Sequence, residues 1–312
     1  MAVDHRFADL NPEREVLSGL PAEVDDLRGL SDDEVMARAA EAEGILLGAR
    51  FQFGADRISQ LRRCRVIVRY GVGVDNVDLE RSAAAGIVVS YVPDYCVEEV
   101  SNHALALLLS LHRQLIPYDR RAREGRNGID TDRPITRFSE LTLGIVGFGR
   151  IGRELGRKAR AFGVSVAAFD PAVPAAELEA QDVRPVSLDE LLGTSDAVSL
   201  HLPLNPSTRG LLGAERLASM RPGAFVINVG RGGLIDEVAL AEALTSGKLG
   251  GAGLDVTSTE PLPLDHPLLS APNVILTPHV AWYSTGAQRE LQTKAAQQVE
   301  CVLSGATAEH AG

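Results

Sequence analysis

A glycine-rich segment near the middle of the chain constrains the fold more than any other feature. Residues 143–152 read LGIVGFGRIG, so Gly147, Gly149 and Gly152 form the pattern G-x-G-x-x-G between a strand signal and a helix signal. In this context the first glycine permits a tight turn, the second lets a phosphate approach the backbone, and the third lets helix and strand pack closely. The pattern predicts a parallel α/β domain that binds a dinucleotide.

The residues around this motif indicate how the dinucleotide is bound. The amides of Arg150 and Ile151 would face the pyrophosphate, because the N-terminal end of a helix attracts anions. The next strand signal ends at Asp170, whose carboxylate can accept hydrogen bonds from the adenosine ribose and would repel a 2′-phosphate. We therefore predict NAD rather than NADP. Leu202 and Val229, which follow two later strand signals, complete the predicted cofactor set.

Short apolar runs alternate with helix-length segments from Thr142 onward, which favours repeated strand–helix units. Such units predict a doubly wound parallel sheet with the strand order 3-2-1-4-5-6. Helices are predicted at 151–162, 236–246 and 284–304, and residues 187–190 have the form of a capping box. The six predicted strands are residues 142–146, 164–169, 196–200, 224–228, 251–255 and 273–276.

The first hundred residues show a similar pattern of strand signals over shorter segments. Strands are predicted at 65–68 and 87–89, around a loop at 71–78. These residues could form a second, smaller α/β domain. The position of the last predicted helix after the sixth strand lets it return to this N-terminal domain.

Composition and charge exclude several classes of function. With 45% hydrophobic and 23% charged residues in a chain of 312, the sequence is typical of a globular protein. Its apolar runs are far shorter than the ~18 to 20 residues of a membrane span, and residues 1–10 lack the apolar stretch of a signal peptide, so we expect a cytoplasmic protein without a membrane partner. The formal net charge of -11 disfavours a nucleic-acid partner.

The cysteines and arginines suggest no further chemistry. Cys64, Cys96 and Cys301 are widely spaced and odd in number, so we predict neither a disulfide framework nor a metal site. The arginine-rich segment at residues 113–137 is most simply a solvated or subunit-facing arm.

Three chemically active side chains follow three successive strand signals. Arg231 follows the fourth predicted strand, Glu260 the fifth and His279 the sixth. Ligands of such sheets lie outside the carboxyl ends of the strands, near the switch point between strands 1 and 4, so we predict that these side chains meet beside the nicotinamide. His279 would exchange a proton with a substrate hydroxyl, and Glu260 would orient the imidazole and favour its charged form. Arg231 would hold a substrate carboxylate and polarise the C2 oxygen.

Four blocks of sequence, taken in order, resemble the D-isomer-specific 2-hydroxyacid dehydrogenase family. The similarity extends over most of the chain, from about Val66 to Gln297. The blocks are residues 147–152 with Asp170, residues 228–236, residues 255–261 and residues 277–279.

This resemblance implies an NAD-dependent oxidoreductase that transfers a hydride at C2 of a small 2-hydroxy or 2-oxo acid. Arg231, Glu260 and His279 match the catalytic set of the family. Asp255 and His279 would lie on the nicotinamide side of the cofactor.

The resemblance also implies a two-domain architecture. Residues 103–283 would form a doubly wound, Rossmann-type NAD domain. Residues 1–102 and 284–312 would form a smaller, flavodoxin-like α/β substrate domain. A homodimer would form largely through the NAD domain, with the chain after about Leu105 as the dimer arm.

Two stretches, residues 67–76 and 279–284, are most similar to the C-terminal-binding-protein branch of the family. That branch combines NAD-linked dehydrogenase activity with a partner-binding role. By this similarity, Arg69 and the amides near Val72 and Gly73 would meet the acid end of the substrate.

The similarity also suggests how substrates are selected. Trp282 would form a wall of the side-chain pocket, while Arg231 binds the acid group. Val72 stands where a serine or threonine is common, so a hydroxyl contact would be missing. Tyr70 is bulkier than expected and would narrow the pocket.

Two alternatives remain open at this point. The first is an NADH-sensing scaffold or corepressor with weak dehydrogenase activity. The intact set of Arg231, Glu260 and His279 argues against it, because a sensor needs only the glycine loop and Asp170. The second is a different NAD enzyme on the same fold, such as one that oxidises an inorganic or one-carbon acid, or a phosphoglycerate or phosphonate-type 2-oxoacid reductase. Arg69 together with Arg231 favours a carboxylate substrate but leaves a phosphorylated one open.

Overall fold

In the computed structural model, which describes residues 1–130 and 134–306, the chain divides into two units. The small unit contains Met1–Cys96 and the chain from Tyr283 onward, and the large unit is Val97–Trp282. Residues 131–133 of the arginine-rich segment and residues 307–312 at the end of the predicted substrate domain lie outside the described residues. Within the described ranges, every helix is too short or too polar to cross a membrane.

The small unit is built on a four-stranded parallel sheet with the order β1-β2-β3-β4. Ala2 also forms an isolated parallel bridge to Asp26. If this bridge is counted as the second strand along the chain, the order becomes 2-1-3-4-5, which is the flavodoxin-like arrangement and confirms that prediction. The strands are β1 (Ala2–Val3), β2 (Gly44–Leu47), β3 (Val66–Arg69) and β4 (Val88–Tyr91), and the helices are α1 (Asn11–Val16), α2 (Asp32–Ala39), α3 (Ala55–Ile58), α4 (Leu79–Ala84) and the C-terminal helix α12 (Thr285–Leu303).

Helix α12 belongs to the small unit and was predicted from its end signals. Ser284 caps its first turn by accepting a hydrogen bond from the Ala287 amide at 2.9 Å, and Gly305 follows its end with a φ of 86°. Leu291, Ala295 and Val299 recur every four residues and are buried. This apolar stripe packs the helix against β2 and β3.

The large unit contains a seven-stranded parallel sheet with the order β11-β10-β9-β8-β5-β6-β7. All six predicted strands are present, each within one residue of its predicted ends. The strands are β5 (Thr142–Val146), β6 (Ser165–Phe169), β7 (Arg184–Pro185), β8 (Ala197–Leu200), β9 (Phe225–Asn228), β10 (Gly251–Leu254) and β11 (Val274–Leu276), and the helices are α5 (Val97–His112), α6 (Leu115–Arg123), α7 (Arg150–Ala161), α8 (Ala175–Glu179), α9 (Leu188–Thr194), α10 (Ala214–Ser219) and α11 (Glu237–Thr245).

The additional strand β7 corrects the predicted sheet order. Its two residues, Arg184 and Pro185, pair with β6 at the edge of the sheet, where a proline is tolerated. The third predicted strand, β8, therefore lies at the centre beside β5 and not at the edge. The switch point of the sheet is consequently between β5 and β8, and not between β5 and β9 as the six-strand prediction implied.

The capping box predicted at residues 187–190 forms only in part. Ser187 caps α9 by accepting a hydrogen bond from the Glu190 amide at 3.2 Å. The Glu190 carboxylate accepts a hydrogen bond from Arg184 Nη1 at 2.5 Å, an ion pair that takes the side chain away from the expected return bond to Ser187. The cap thus fixes the start of α9 with one of its two bonds.

Candidate active site

The glycine loop that follows β5 has the geometry that its sequence predicts. Gly147 has a φ of 94°, and a Cβ atom there would lie 2.8 Å from the carbonyl carbon of His201. A Cβ atom on Gly152 would lie 2.2 Å from the carbonyl oxygen of Gly147. Both positions therefore exclude a side chain, while Gly149 faces open space. The loop leaves room for a ligand at the place where the pattern predicts a phosphate.

The N-terminal end of α7 suits an anion. Gly149 provides no side chain to cap the helix, and its first turn contains no acidic residue. The first amides of a helix have no partners within the helix, so those of Arg150, Ile151 and Gly152 would face an anion bound at this end of α7. These donors fit the pyrophosphate of a dinucleotide.

Asp170 lies at the end of β6, next to the glycine loop. Its Oδ2 accepts a hydrogen bond from the Phe148 amide at 2.7 Å, and its Oδ1 accepts one from the Ala172 amide at 2.8 Å. The carboxylate is thus held beside the loop. Leu202 and Val229 lie just beyond the carboxyl ends of β8 and β9, on the side of the sheet where the switch point lies.

Asp255 is a buried carboxylate that shapes the loop carrying His279. It accepts hydrogen bonds from the Thr277 hydroxyl at 2.6 Å and from the amides of Val280 and Ala281 at 3.0 and 2.8 Å. Its side chain is 1% exposed. The side chain therefore holds residues 277–281 in place, and its predicted contact with the nicotinamide stays a prediction.

His103 on α5 supports the same loop and was missed in the sequence. Its Nε2 lies 2.9 Å from the Thr277 hydroxyl oxygen and 3.7 Å from Asp255 Oδ1. Its one local signal is that it is a polar residue in a helix whose buried face is mainly apolar. The contact joins residues far apart in the chain, so spacing does not reveal it.

His279 and Glu260 form the central pair of the site. His279 Nδ1 lies 2.8 Å from Glu260 Oε2, and both side chains are partly exposed. His279 has a φ of 55°, and its amide donates to the Asp255 carbonyl oxygen at 2.8 Å. Such a backbone conformation is uncommon outside glycine and is found where surrounding contacts hold it.

The charge state of Glu260 follows from its surroundings. Burial raises the pKa of Glu260, but the hydrogen bond and charge of His279, the Thr257 amide and the charge of Arg231 together lower it below its ordinary value. Glu260 is therefore ionised near neutral pH. Because a carboxylate only accepts hydrogen bonds, His279 carries a proton on Nδ1, and Nε2 is the nitrogen that can exchange one with a ligand.

Arg231 is held in a tight loop after β9. Asn228 accepts a hydrogen bond from the Gly230 amide at 3.1 Å and donates one to the Arg231 carbonyl oxygen at 2.9 Å. A Cβ atom on Gly232 would lie 2.0 Å from the Thr257 carbonyl carbon, so this loop packs directly against the loop that carries Glu260. The large unit thus brings Arg231, Glu260 and His279 together, and their catalytic roles stay predictions.

The predicted substrate residues are divided between the two units. Arg69 is the last residue of β3 in the small unit, and its Nη1 donates to the Tyr70 carbonyl oxygen beside Gly71. Val72 is exposed and Gly73 is half-buried in the following loop. Trp282 is half-buried at the end of the large unit. Their roles toward a substrate stay predictions.

Tyr70 does not narrow a substrate pocket, so that expectation was wrong. Its side chain is buried inside the small unit, where its hydroxyl donates to Glu13 Oε1 at 2.7 Å. The Gln292 amide donates to Glu13 Oε2 at 3.0 Å, and burial raises the pKa of Glu13. A buried tyrosine hydroxyl needs a partner, and this carboxyl group provides it.

Comparisons with known proteins agree with this geometry. Residues 105–281 match the model of the D-isomer specific 2-hydroxyacid dehydrogenase NAD binding domain, which is more than half of the chain. A D-3-phosphoglycerate dehydrogenase of Mycobacterium tuberculosis is 36% identical over 299 residues, which cover 95% of this chain and 56% of the relative. A glycerate dehydrogenase of Methylorubrum extorquens is 36% identical over 281 residues, which cover 88% of this chain and 86% of the relative.

A solved structure has the same fold. The D-lactate dehydrogenase of Aquifex aeolicus, in complex with NAD and lactic acid, superposes with a TM-score of 0.85 at 29% identity, over 94% of this chain and 91% of that one.

Some of the relatives are much longer than this chain. The chain spans about half the length of the phosphoglycerate dehydrogenases it matches.

The match to the NAD binding domain, together with the fit of the glycine loop, identifies NAD as the cofactor. The resemblance to the C-terminal-binding-protein branch stays a prediction. The chain belongs to the D-isomer-specific 2-hydroxyacid dehydrogenase family.

Proposed function

We propose that this protein is an NAD-dependent dehydrogenase that transfers a hydride at C2 of a small D-2-hydroxy or 2-oxo acid. The observation that carries the proposal is the hydrogen bond of 2.8 Å between His279 and an ionised Glu260, with the Arg231 loop packed against it. This set supplies a proton donor, its orienting partner and an anion-binding cation, which are the groups that the reaction needs.

Each residue of the site has a separate role in the proposed reaction. When bound, NADH supplies the hydride that C2 of the oxo acid accepts. The carbonyl oxygen needs a proton at the same time, and His279 gives it from Nε2 and takes it back when the hydroxy acid is oxidised. Glu260 accepts a hydrogen bond from Nδ1 and so fixes the orientation and tautomer of the ring. Arg231 pairs with the substrate carboxylate and polarises the C2 oxygen.

The same proposal assigns the remaining substrate contacts. Arg69 and the amides of Val72 and Gly73 would bind the acid end of the substrate. Trp282 would contact its side chain. Asp255 would lie near the nicotinamide, in addition to holding the His279 loop.

Measuring NADH oxidation by the purified protein against a panel of 2-oxo acids tests the proposal. The panel contains glyoxylate, pyruvate, hydroxypyruvate, and aryl, branched and thioether 2-oxo acids. We expect turnover of at least one member, with oxidation of the matching D-2-hydroxy acid in the reverse direction. Tight NADH binding without turnover in either direction would overturn the proposal and favour an NADH-sensing scaffold.

A second candidate function is a dehydrogenase of phosphorylated 2-hydroxy acids. It is favoured by the relatives named D-3-phosphoglycerate dehydrogenase, which are 36% identical to this chain. Adding phosphohydroxypyruvate and a phosphonate-bearing oxo acid to the panel separates the two candidates. The second replaces the first if a phosphorylated or phosphonate-bearing substrate has the highest kcat/KM.

Asp170 is expected to set the preference for NAD over NADP. The Asp170→Ala variant should weaken NAD binding about tenfold to a hundredfold, because hydrogen bonds to a charged acceptor contribute about 1.5–3 kcal/mol. It should also bring the NADP to NAD ratio of kcat/KM closer to one, because a 2′-phosphate no longer meets a carboxylate. Replacing the exposed Asp189 with alanine provides the control. An unchanged cofactor ratio in Asp170→Ala would contradict the predicted ribose contact.

We also propose that the protein forms a homodimer through the large unit. Helix α6 leaves Leu115 and Ile116 about half exposed, and Leu269 is similarly exposed. These last two residues line a groove of about 560 Å³ between α5, α6 and residues 269–275. Large exposed apolar side chains around a groove are typical of interaction surfaces. Sedimentation equilibrium should give twice the chain mass of 33.2 kDa, and a monomer at micromolar concentration would overturn this proposal.

A further inference from the structure

A buried carboxylate outside the predicted catalytic set holds the loop that carries Glu260. Glu237 is the first residue of α11 and is only 6% exposed. Its Oε1 accepts a hydrogen bond from the Ser258 amide at 2.5 Å, and its Oε2 accepts one from the Ser258 hydroxyl at 2.7 Å. Two bonds from one carboxylate to one residue fix both the position and the orientation of Ser258.

A histidine faces the same carboxylate. His266 Nε2 lies 3.5 Å from Glu237 Oε2, and His266 Nδ1 accepts a hydrogen bond from the Leu268 amide at 3.3 Å. Because Nδ1 acts as an acceptor, the ring proton of neutral His266 is on Nε2, which points it at Glu237. Glu237 is therefore surrounded by N–H and O–H groups, as a buried carboxylate requires.

Ser258 is the point where two loops of the site meet. The neighbouring Thr257 amide donates to Glu260 Oε1 at 3.4 Å. A Cβ atom on Gly232 would lie 2.3 Å from the Ser258 nitrogen, so the Arg231 loop packs on this residue. A displacement of Ser258 would thus move both Glu260 and the loop that carries Arg231.

We propose that Glu237 is a positioning residue that keeps Glu260 within hydrogen-bond distance of His279 by anchoring Ser258 to the start of α11. The proposal rests on the proposed function of the site. It differs from a purely structural role, because it requires the Glu260–His279 pair to change when Glu237 is altered.

The Glu237→Gln variant tests this role with almost no change in size. The change turns one carboxylate oxygen into an NH2 group, which cannot accept a hydrogen bond from Ser258 and which meets the N–H of His266 in place of an acceptor. We expect kcat to fall about tenfold to a hundredfold, because small displacements of reacting groups have effects of this size, while the KM for NADH changes by less than about twofold. The pKa of Glu260, followed by ¹³C NMR, should rise toward its ordinary value as His279 moves away.

Matched variants separate positioning from general damage. Glu242→Gln changes an exposed glutamate on the same helix and should behave like the wild type. Ser258→Ala removes only the hydroxyl and should show an intermediate loss, whereas Ser258→Thr keeps both donors and should retain most of kcat. If Glu237→Gln does not fold, Ser258→Ala takes its place in every measurement.

The outcomes distinguish this proposal from the proposed function. A folded Glu237→Gln variant with wild-type kcat and an unchanged Glu260 titration overturns the positioning role. A wild-type protein without turnover overturns the proposed function, and the Glu260 titration alone then decides the positioning role. In that case a pKa of Glu260 that is equal in wild type and variant overturns it, and a raised one supports it.

Discussion

Replacing His279 with alanine is expected to lower kcat for 2-oxo acid reduction by about 10²- to 10⁴-fold, the range that general acid–base catalysis contributes. The imidazole is the group that the proposed reaction uses to deliver a proton to the C2 oxygen, and alanine removes it. NADH binding should be nearly unchanged. The predicted phosphate and ribose contacts come from the glycine loop, the N-terminal end of α7 and Asp170, and these contacts do not involve His279. Steady-state NADH oxidation gives kcat, and NADH fluorescence titration gives the Kd.

The His279→Gln variant is a matched control for this prediction. Its side-chain amide can still donate a hydrogen bond to Glu260, so the loop remains anchored, but it cannot transfer a proton near neutral pH. A loss in His279→Gln as large as in His279→Ala would assign the effect to proton transfer. Turnover within about tenfold of wild type in either variant would show that another group protonates the substrate.

The fold was predictable where the signal is local. Each strand of the large sheet except β7 is a short apolar run, because strands covered on both faces need apolar residues at nearly every position. β7 has no such run, and its two residues pair only because β6 lies beside them. The same holds for β1, which is only two residues long. A strand that forms only beside a neighbour cannot be recognised from its own residues. Without β7, the sequence predicts the switch point between β5 and β9 and not between β5 and β8.

The sequence predicts those parts of the candidate site that also have a local signal. Arg231 and His279 follow strand ends directly, and the rule for parallel sheets brings strand ends together. Glu237 carries no such signal, because an acidic residue in the first turn of a helix is already explained by the helix dipole. Its contact with Ser258 joins the start of α11 to a loop 21 residues further along the chain. Tyr70 shows the converse error, because a residue just after a strand can turn its side chain inward.

Burial distinguishes the residues that a ligand could reach from the residues that hold loops in place. Asp255 is buried and bonded to the 277–281 loop, so its removal would move His279 even if it touched no cofactor. Glu260 and His279 are partly exposed and therefore accessible to a ligand. Arg231 combines both properties. Asn228 holds its loop in place, and its charge lowers the pKa of Glu260.

The second large effect is expected at Arg231. The Arg231→Ala variant should lower kcat/KM for 2-oxo acids by about 10²- to 10³-fold, the cost of removing a donor that stabilises developing negative charge on oxygen. Arg231→Lys should recover only part of this loss, because a lysine provides a point charge and not the two parallel N–H donors that match a carboxylate. The KM for NADH should change little in both variants, since Arg231 is predicted to bind the substrate.

The comparison of alanine with lysine identifies what Arg231 contributes. If only its charge mattered, the two variants would differ by the whole effect, and Arg231→Lys would match the wild type. If bidentate binding matters, added guanidinium ion should partly restore Arg231→Ala but not Arg231→Lys, because the lysine fills the space. Arg221→Ala removes an exposed arginine that pairs with Asp196 and should leave kcat/KM unchanged. An Arg231→Ala variant whose kcat/KM stays within about tenfold of wild type would remove Arg231 from the catalytic set and leave the substrate carboxylate to be bound elsewhere.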